Sequence, residues 1–189
     1  MDKYFKDKIV LITGASSGIG EALVYAFISN GSRVIAASID KEGLERVPKS
    51  CQGLPGSIRT VVFDLSDTPS IEPLIENLIK EEKHIDILLN IGGVSQRATI
   101  LETPLWLDRK IMEINYFGTI ALTKAILPYM IRNGGGQIAA TSSITGRFGF
   151  PLRSAYSASK QALHGFFETL IIEYKKDNIK ASVLIPGRV

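Results

Sequence analysis

A tyrosine and a lysine late in the sequence have the spacing of a proton-transfer pair. Tyr156 and Lys160 are four residues apart in Y-S-A-S-K, and Ser143 lies thirteen residues before the tyrosine. Four residues make just over one helical turn, so in a helix the phenol and the ammonium share one face. A free tyrosine, with a pKa of about 10, is a poor acid–base catalyst at neutral pH unless a nearby cation stabilises its anion. Lys160 is placed to do this, although the same spacing also occurs in ordinary exposed helix pairs.

A glycine-rich turn near the N-terminus predicts a dinucleotide site. An apolar run at residues 8–13 precedes G-A-S-S-G-I-G, and an amphipathic stretch follows at residues 21–29, which predicts strand, turn and helix. Gly14 would permit the tight turn, Gly18 would let the backbone approach a pyrophosphate, and Gly20 would let helix and strand pack closely. The helix N-terminus would face the anion; the alternative is a glycine turn that binds no ligand.

The elements that must position these groups alternate along the chain. Apolar, β-branched runs lie at residues 8–13, 33–38, 59–63, 85–91, 137–142 and 181–185, each separated by a longer amphipathic segment. Such alternation predicts right-handed βαβ units and a parallel sheet covered on both faces. The predicted fold class is α/β, a doubly wound, Rossmann-type parallel sheet with helices on both faces. The clearest predicted helices are Ser70–Lys80, Pro104–Arg132 and Ala155–Lys175.

Together these motifs resemble the successive signatures of the short-chain dehydrogenase/reductase family. The signatures are T-G-A-S-S-G-I-G at 13–20, Asp64-Leu65, N-I-G-G at 90–93, Asn115, S-S-I-T-G at 142–146, Y-S-A-S-K at 156–160 and Pro186-Gly187. The stretches that begin at Met112 and Arg153 further resemble the branch that contains the DHRS7-like reductases and the 11β-hydroxysteroid dehydrogenases. The resemblance covers nearly the whole chain.

The resemblance implies an NAD(P)-dependent oxidoreductase that transfers hydride between a nicotinamide cofactor and a ketone or secondary alcohol. Tyr156 would donate the proton, Ser143 would hydrogen-bond the carbonyl oxygen, and Lys160 would support the tyrosine and hold the nicotinamide ribose. Asn115 would anchor a water in the proton relay. From the residues alone, Ser142 and Ser143 could instead be strand-end hydroxyls, and Asn115 could be a buried residue that satisfies backbone groups.

The resemblance also assigns cofactor-binding residues, in a single NAD(P)-binding domain over residues 1–189. They are Gly14, Ser16, Ser17, Gly18, Ile19, Gly20, Ser38, Asp64, Leu65, Asn90, Gly92, Tyr156, Lys160, Pro186 and Gly187. Asp64 could equally be a turn or capping aspartate. Ser38 and Ile39 occupy the positions that decide between NAD and NADP. The small serine leaves room for a 2′-phosphate and the branch resembled mostly uses NADP, whereas Asp40 favours NAD, so the expected cofactor is NADP, with NAD as the alternative.

Residues near the predicted chemistry are candidates for contact with substrate. They are Val94, Ser95 and Gln96 after the fourth strand, and Arg147, Phe148, Phe150, Leu152 and Arg153 between Ser143 and Tyr156. The apolar members predict an apolar ketone or secondary alcohol as the small-molecule substrate. The alternative function is a non-catalytic dinucleotide-binding protein of the same fold.

Composition argues against several other classes. The chain has 189 residues, is 45% hydrophobic and carries a net charge of +3, with basic residues scattered among acids, so no nucleic-acid partner is expected. No metal site is predicted. The lone cysteine, Cys51, cannot form an internal disulfide and is expected to be a surface thiol in a reducing compartment. No apolar run reaches the roughly 18 residues that span a bilayer, and the charged N-terminus is unlike a signal peptide, which predicts a cytoplasmic protein without membrane contact.

Two expectations concern the end of the chain and its assembly. Members of the family typically continue past the Pro-Gly with a substrate-covering segment, a helix and a seventh strand, so these closing elements are expected to be missing after Val189. In the family, the helices that hold Asn115 and Tyr156 pack against their copies in a partner. Apolar residues on these helices predict a homodimer or homotetramer; they are Ile126, Tyr129, Phe166, Phe167 and Leu170.

Overall fold

The strands form one parallel sheet in the computed structural model of this chain, which describes residues 4–187. The six strands of these residues are Ile9–Thr13 (β1), Arg33–Ser38 (β2), Ser57–Val62 (β3), Ile87–Asn90 (β4), Gly136–Thr141 (β5) and Ile179–Leu184 (β6). Their order is β3-β2-β1-β4-β5-β6, and every neighbouring pair is parallel. The predicted doubly wound fold is confirmed. Residues 1–3 of the charged N-terminus, and Arg188 and Val189, lie outside the described residues.

Helices cover both faces of the sheet. The α-helices of the described residues are Gly18–Ser29 (α1), Lys41–Ser50 (α2), Thr68–Glu82 (α3), Leu105–Met112 (α4), Thr119–Arg132 (α5) and Ser154–Glu173 (α6). Side chains alternate between the faces of a strand. Val10 of β1 therefore joins a core with α1 and α2, while Leu11 joins a second core with α3, α5 and α6. None of the helices in residues 4–187 is long and apolar enough to cross a membrane.

The predicted helix Pro104–Arg132 is not continuous. Residues Glu113–Gly118 form a π-helical segment between α4 and α5. A π turn accommodates an extra residue and rotates the side chains that follow, and such segments are frequent at functional sites. Phe117 is 45% exposed, whereas Asn115 is fully buried. A Cβ on Gly118 would lie 2.3 Å from the carbonyl oxygen of Leu65, so only glycine permits this close approach.

Burial corrects two expectations from the sequence. Cys51 is only 7% exposed and packs in the core beneath α1 and α2, so it is not a surface thiol. Ile126, Phe167 and Leu170 are also buried within the protomer. They fill the core beneath α5 and α6, and therefore cannot supply the exposed surface that the predicted subunit interface requires.

Candidate active site

A cleft opens where the strand order reverses. Consecutive connections from β1 and β4 leave the sheet in opposite directions, which makes a crevice at their carboxyl ends. The cleft there has a volume of about 810 Å³, within the range of small-molecule sites. The predicted site residues that line it are Gly14, Ser16, Ser17, Gly18, Ile19, Gly20, Ser38, Asp64, Leu65, Gly92, Ser143, Tyr156, Lys160, Pro186 and Gly187. Asn90 and Asn115 lie behind the lining.

The glycine turn after β1 is shaped for a close approach of backbone to ligand. Gly14 and Gly18 have φ values of +64° and +54°, which disfavour other residues. A Cβ on Gly20 would lie 2.1 Å from the Gly14 carbonyl oxygen, so this glycine lets α1 start directly against the turn. A Cβ on Gly18 would face open space instead. Because α1 begins here, its N-terminal N–H groups are available to an anion, and the residues fit a pyrophosphate.

The loop after β4 is held against the glycine turn. Thr13 Oγ1 accepts hydrogen bonds from the backbone N–H groups of Ile91 and Gly92, both at 3.0 Å. Asn90 is 3% exposed, and its Nδ2 donates to Thr123 Oγ1 at 3.4 Å. The Asn90 side chain therefore joins β4 to α5 behind the cleft, while the following residues supply the wall of the cleft.

Tyr156 and Lys160 lie one turn apart on α6, as the spacing predicted. Lys160 is 4% exposed, and its Nζ donates to the carbonyl oxygen of Thr141 at 2.6 Å. The same nitrogen lies 5.7 Å from the centroid of the Tyr156 ring. Burial lowers the pKa of Lys160 to about 8 from its ordinary 10.5. The lysine is therefore a largely protonated, poorly hydrated cation at neutral pH, beside the phenol and at the cleft wall.

The two serines after β5 have different surroundings. Ser142 is 1% exposed, and its hydroxyl lies 2.8 Å from His164 Nε2. Burial, followed by the nearby charge of Arg147, lowers the pKa of His164. Ser143 is half-buried, and its Oγ accepts from the N–H of Thr145 at 3.3 Å at the start of a short 3₁₀ turn. The Ser143 hydroxyl retains its own hydrogen for donation, whereas the Ser142 hydroxyl is bound to His164, although Ser142 also lines the cleft.

Through its side chain Asn115 braces the part of the cleft lined by Ser143, Tyr156 and Lys160, which we call the catalytic wall after the role predicted for these residues. Its Oδ1 accepts from the N–H of Val94 at 2.8 Å, and its Nδ2 donates to the Val94 carbonyl oxygen, also at 2.8 Å. Nδ2 also donates to Ser159 Oγ at 3.0 Å, and Ser159 Oγ donates to the carbonyl oxygen of Tyr156 at 2.8 Å. The side chain thus satisfies backbone groups, as the alternative expectation describes, and the role of Asn115 in a water relay stays a prediction.

Asp64 makes a turn at the end of β3. Its Oδ1 accepts from the backbone N–H of Ser66 at 2.8 Å and from the Ser66 hydroxyl at 2.7 Å. These contacts are those of the turn aspartate considered from the sequence. The residue nevertheless lines the cleft together with Leu65, so it lies where an adenine contact was predicted.

Small side chains and one carboxylate form the wall after β2. The hydroxyls of Ser16 and Ser38 lie 3.0 Å apart, and Ser38 Oγ also accepts from the N–H of Asp40 at 3.2 Å. Asp40 caps α2, because its Oδ1 accepts from the N–H of Gly43 at 3.0 Å. Ile39 lies between them and is 65% exposed. The carboxylate is therefore held at the cleft by the helix that it caps.

Of the eight substrate-facing candidates, Val94 and Ser95 line the cleft, whereas the other six lie outside its lining. Arg147, Leu152 and Arg153 are among these six. Phe148 and Phe150 are exposed, at 53% and 55%. Gln96, by contrast, is 5% exposed and turned toward α6. The cleft also has lining residues that were not predicted as site residues, among them Thr13, Phe63, Ser66, Ile91, Lys110, Ile114 and Thr141. Of these, Thr13 and Ile91 lie within the motifs T-G-A-S-S-G-I-G and N-I-G-G, which is a usable sequence signal.

Comparisons with known proteins agree with this arrangement. A family model described as short chain dehydrogenase matches residues 8–189. A dehydrogenase/reductase SDR family protein 7-like of Anopheles gambiae is 44% identical over 192 residues, which cover 99% of this chain and 61% of that protein. The chain belongs to the short-chain dehydrogenase/reductase family, and its relatives of the DHRS7-like kind confirm the branch expected from the sequence. It spans about three fifths of the length of the curated relatives that it matches.

Solved structures of the family share the fold over almost the whole chain. An NAD⁺-bound xylitol dehydrogenase superposes with a TM-score of 0.93 at 27% identity, covering 98% of this chain and 72% of that one. A metagenomic short-chain oxidoreductase in complex with NADP superposes with a TM-score of 0.92 at 26% identity, covering 98% and 85%. Nicotinamide cofactors of both kinds thus occur among similar structures.

Proposed function

We propose that this protein is a nicotinamide-dependent oxidoreductase that interconverts a ketone and a secondary alcohol. One observation carries this: the cleft at the switch point is lined both by Tyr156, Lys160 and Ser143 and by the glycine turn. A proton donor, a cation and a hydroxyl therefore face a space that is shaped for a dinucleotide.

The roles follow from the surroundings of each side chain. Reduction of a ketone adds a hydride to carbon and a proton to oxygen. The bound dinucleotide would supply the hydride. Tyr156 would donate its phenolic proton to the carbonyl oxygen, and the Ser143 hydroxyl would donate a hydrogen bond to the same oxygen. Lys160 would favour the tyrosinate that remains, because its buried cation lies 5.7 Å from the ring.

Exposed apolar side chains in and near the site support an apolar substrate. Val94 lines the cleft and is 40% exposed, and Ile144 and Phe148, which follow Ser143 in the chain, are 44% and 53% exposed. Exposed apolar side chains beside a polar reacting centre favour a ketone whose remaining surface is hydrocarbon. Ionic substrates would find no compensating group on these three side chains.

For the cofactor, the wall after β2 supports NAD over NADP. The 2′-phosphate of NADP needs a cationic partner, usually an arginine. Among the described residues that line the cleft from β2 and the glycine turn, no arginine or lysine occurs, and Asp40 places a carboxylate there. In the sequence, the small side chain of Ser38 favoured NADP because it leaves room for a 2′-phosphate. In the structure, the Ser38 hydroxyl is hydrogen-bonded to the Ser16 hydroxyl and to the N–H of Asp40, so part of that space is occupied.

A second candidate function is a dinucleotide-binding protein that does not turn over substrate. The experiment that separates the two is turnover, with NADH and NADPH, of probe ketones of graded size: cyclohexanone, acetophenone and phenanthrenequinone. We expect Tyr156→Phe to lower kcat by about a hundredfold or more, with cofactor affinity unchanged, because only the proton donor is lost. Tyr25→Phe, on an exposed tyrosine of α1, is the matched control. Binding of cofactor by the wild-type protein without turnover of any probe would favour the second candidate.

For assembly we propose a dimer, and the exposed residues that support it differ from those predicted from the sequence. Phe117, Ile171 and Ile172 are 45%, 40% and 77% exposed, and they lie on or beside the helices that hold Asn115 and Tyr156. Exposed apolar side chains of this kind support an interface. Light scattering at micromolar concentration tests it, and a monomeric mass would contradict it.

A further inference from the structure

The N-terminus of the helix that carries Tyr156 is capped from a distant part of the chain. Helix α6 begins at Ser154, and the preceding Arg153 makes no side-chain hydrogen bond as its cap. The first N–H groups of a helix lack partners within the helix and must find them elsewhere. The N–H of Tyr156, the third residue of α6, donates to Gln96 Oε1 at 3.2 Å. The partner lies sixty residues earlier, in the loop after β4.

Gln96 uses both ends of its amide. Its Nε2 donates to Ser154 Oγ at 3.3 Å, so the side chain spans the first and third residues of α6. The side chain is 5% exposed, which leaves it little contact with water. Its orientation is determined by chemistry, because the Tyr156 N–H can only meet the oxygen of the amide.

The loop that presents Gln96 is itself anchored to the start of α6. Arg153 Nη1 donates to Ser95 Oγ at 2.6 Å and also to the Gln96 carbonyl oxygen. The N–H of Ala98 donates to the carbonyl oxygen of Leu152, a non-glycine residue with a φ of +64°. A residue in this region of backbone conformation persists only where its surroundings hold it. The segment before α6 and the loop after β4 therefore form one hydrogen-bonded unit.

We propose that Gln96 is a positioning residue, which sets the place of Tyr156 by holding its backbone N–H. The Tyr156 carbonyl oxygen is held by Ser159, whose hydroxyl Asn115 contacts, so the peptide groups on both sides of the tyrosine are bound. Val94 completes the connection, because Asn115 binds both its N–H and its carbonyl oxygen. One short loop thus places Asn115 through Val94 and Tyr156 through Gln96. Its role rests on the proposed function, since the tyrosine must act as proton donor for its placement to matter.

The test compares Gln96→Leu and Gln96→Glu with the wild type, using the probe ketones named above. Leucine removes the acceptor, whereas glutamate keeps an acceptor for the Tyr156 N–H and can accept from the Ser154 hydroxyl. We expect Gln96→Leu to lower kcat by about tenfold or more, because small misplacements of a reacting group are costly. Cofactor Kd should stay within about twofold, and Gln96→Glu should restore most of the turnover. Gln161→Leu, the same change at an exposed glutamine of α6, should leave kcat unchanged.

Amide hydrogen exchange of Tyr156 supplies the second measurement, and it should be faster in Gln96→Leu than in the wild type. If Gln96→Leu does not fold, Gln96→Asn serves in its place, since its amide is too short to span Ser154 and Tyr156 together. If the wild type turns over substrate and Gln96→Leu leaves kcat unchanged, the role of Gln96 is overturned and the proposed function is not. Equal losses in the leucine and glutamate variants, with cofactor affinity lost as well, also overturn it. Absence of turnover in the wild type overturns the proposed function, and this role with it.

Discussion

The catalytic wall and the wall after β2 are built differently. On the catalytic wall, Lys160, Asn115 and Ser159 are buried and joined by hydrogen bonds that cross from α6 to the π-helical segment and to β5. At the wall after β2, Ile39 projects into solvent and is 65% exposed, and the Asp40 carboxylate is held by the helix that it caps. The same cleft therefore has one wall that is braced by a buried hydrogen-bond network and one that is exposed and has fewer contacts.

The difference matches what each wall would do in the proposed reaction. Proton transfer requires the donor and the reacting oxygen within hydrogen-bond distance, and a misplacement of about 1 Å can cost a hundredfold in rate. Discrimination between two cofactors that differ by one phosphate requires only a charge of the right sign in reach of it. Buried networks suit the first task and exposed side chains the second, so we expect mutations on the two walls to have effects of different size.

The burial of Lys160 in the braced wall lowers the stability of the folded protein. Its pKa of about 8, against the ordinary 10.5, means that burial disfavours the charged form that the site would use. Since one unit of pKa corresponds to about 1.4 kcal/mol, the charge costs the folded protein about 3 kcal/mol. The catalytic wall is therefore a place where stability is given up to keep a cation beside a phenol.

The largest effect should come from removal of this cation. We expect Lys160→Met to lower kcat/KM by about a hundredfold or more and to weaken cofactor binding, because the lysine is assigned both to the tyrosine and to the ribose. Lys110→Met is the matched control, since Lys110 is an exposed lysine that lines the same cleft. Equal losses of kcat/KM in Lys160→Met and Lys110→Met would mean that activity depends on the positive charge at the cleft and not on the buried position of Lys160.

The same variant should reveal the cost of the charge as a dependence of stability on pH. Below pH 8 Lys160 is charged in both folded and unfolded states, so the cost is fully present. Between pH 8 and 10.5 the unfolded chain binds more protons at this residue than the folded one, and stability rises with pH. We expect the free energy of unfolding of the wild type, relative to Lys160→Met, to rise by about 3 kcal/mol over this interval. A flat difference in urea denaturation series from pH 7 to 10.5 would contradict the burial of a charged lysine.

The strands, the Tyr156–Lys160 pair and the glycine turn could be predicted from the sequence because each has a local signature. The six strands could be predicted because β-branched runs such as Ile9–Thr13 end at glycine or polar residues, which gives each a local signature. Tyr156 and Lys160 could be paired because their separation within one helix is a local property. Gly14 and Gly18 were predicted by the same kind of signal, and both have the positive φ that only glycine adopts readily.

The bracing could not be predicted, because its partners are distant in sequence. Gln96 meets Tyr156 across sixty residues, and nothing in the neighbourhood of either residue marks the other. The π-helical segment has residues compatible with an ordinary helix, and its geometry depends on the contact between Gly118 and the backbone of Leu65. Cys51 follows a polar stretch, yet it faces the core because α2 ends there. Tertiary contacts decided each of these cases.

The smallest effect, and the sharpest test of the contrast, should come from Ile39→Arg. Ile39 is exposed at the end of β2 and lines the cleft, so an arginine can extend there without displacing packed atoms. Its guanidinium would provide the partner that a 2′-phosphate lacks, and we expect the ratio of kcat/KM for NADPH to that for NADH to rise by about tenfold.

Ile100→Arg, at a residue that is 77% exposed and outside the cleft lining, is the control for added charge alone. Because the catalytic wall is separate, kcat with the better cofactor should stay within about twofold of the wild type. A tenfold loss of kcat in Ile39→Arg would show that the two walls are coupled, and an unchanged ratio would show that the 2′ position lies away from Ile39.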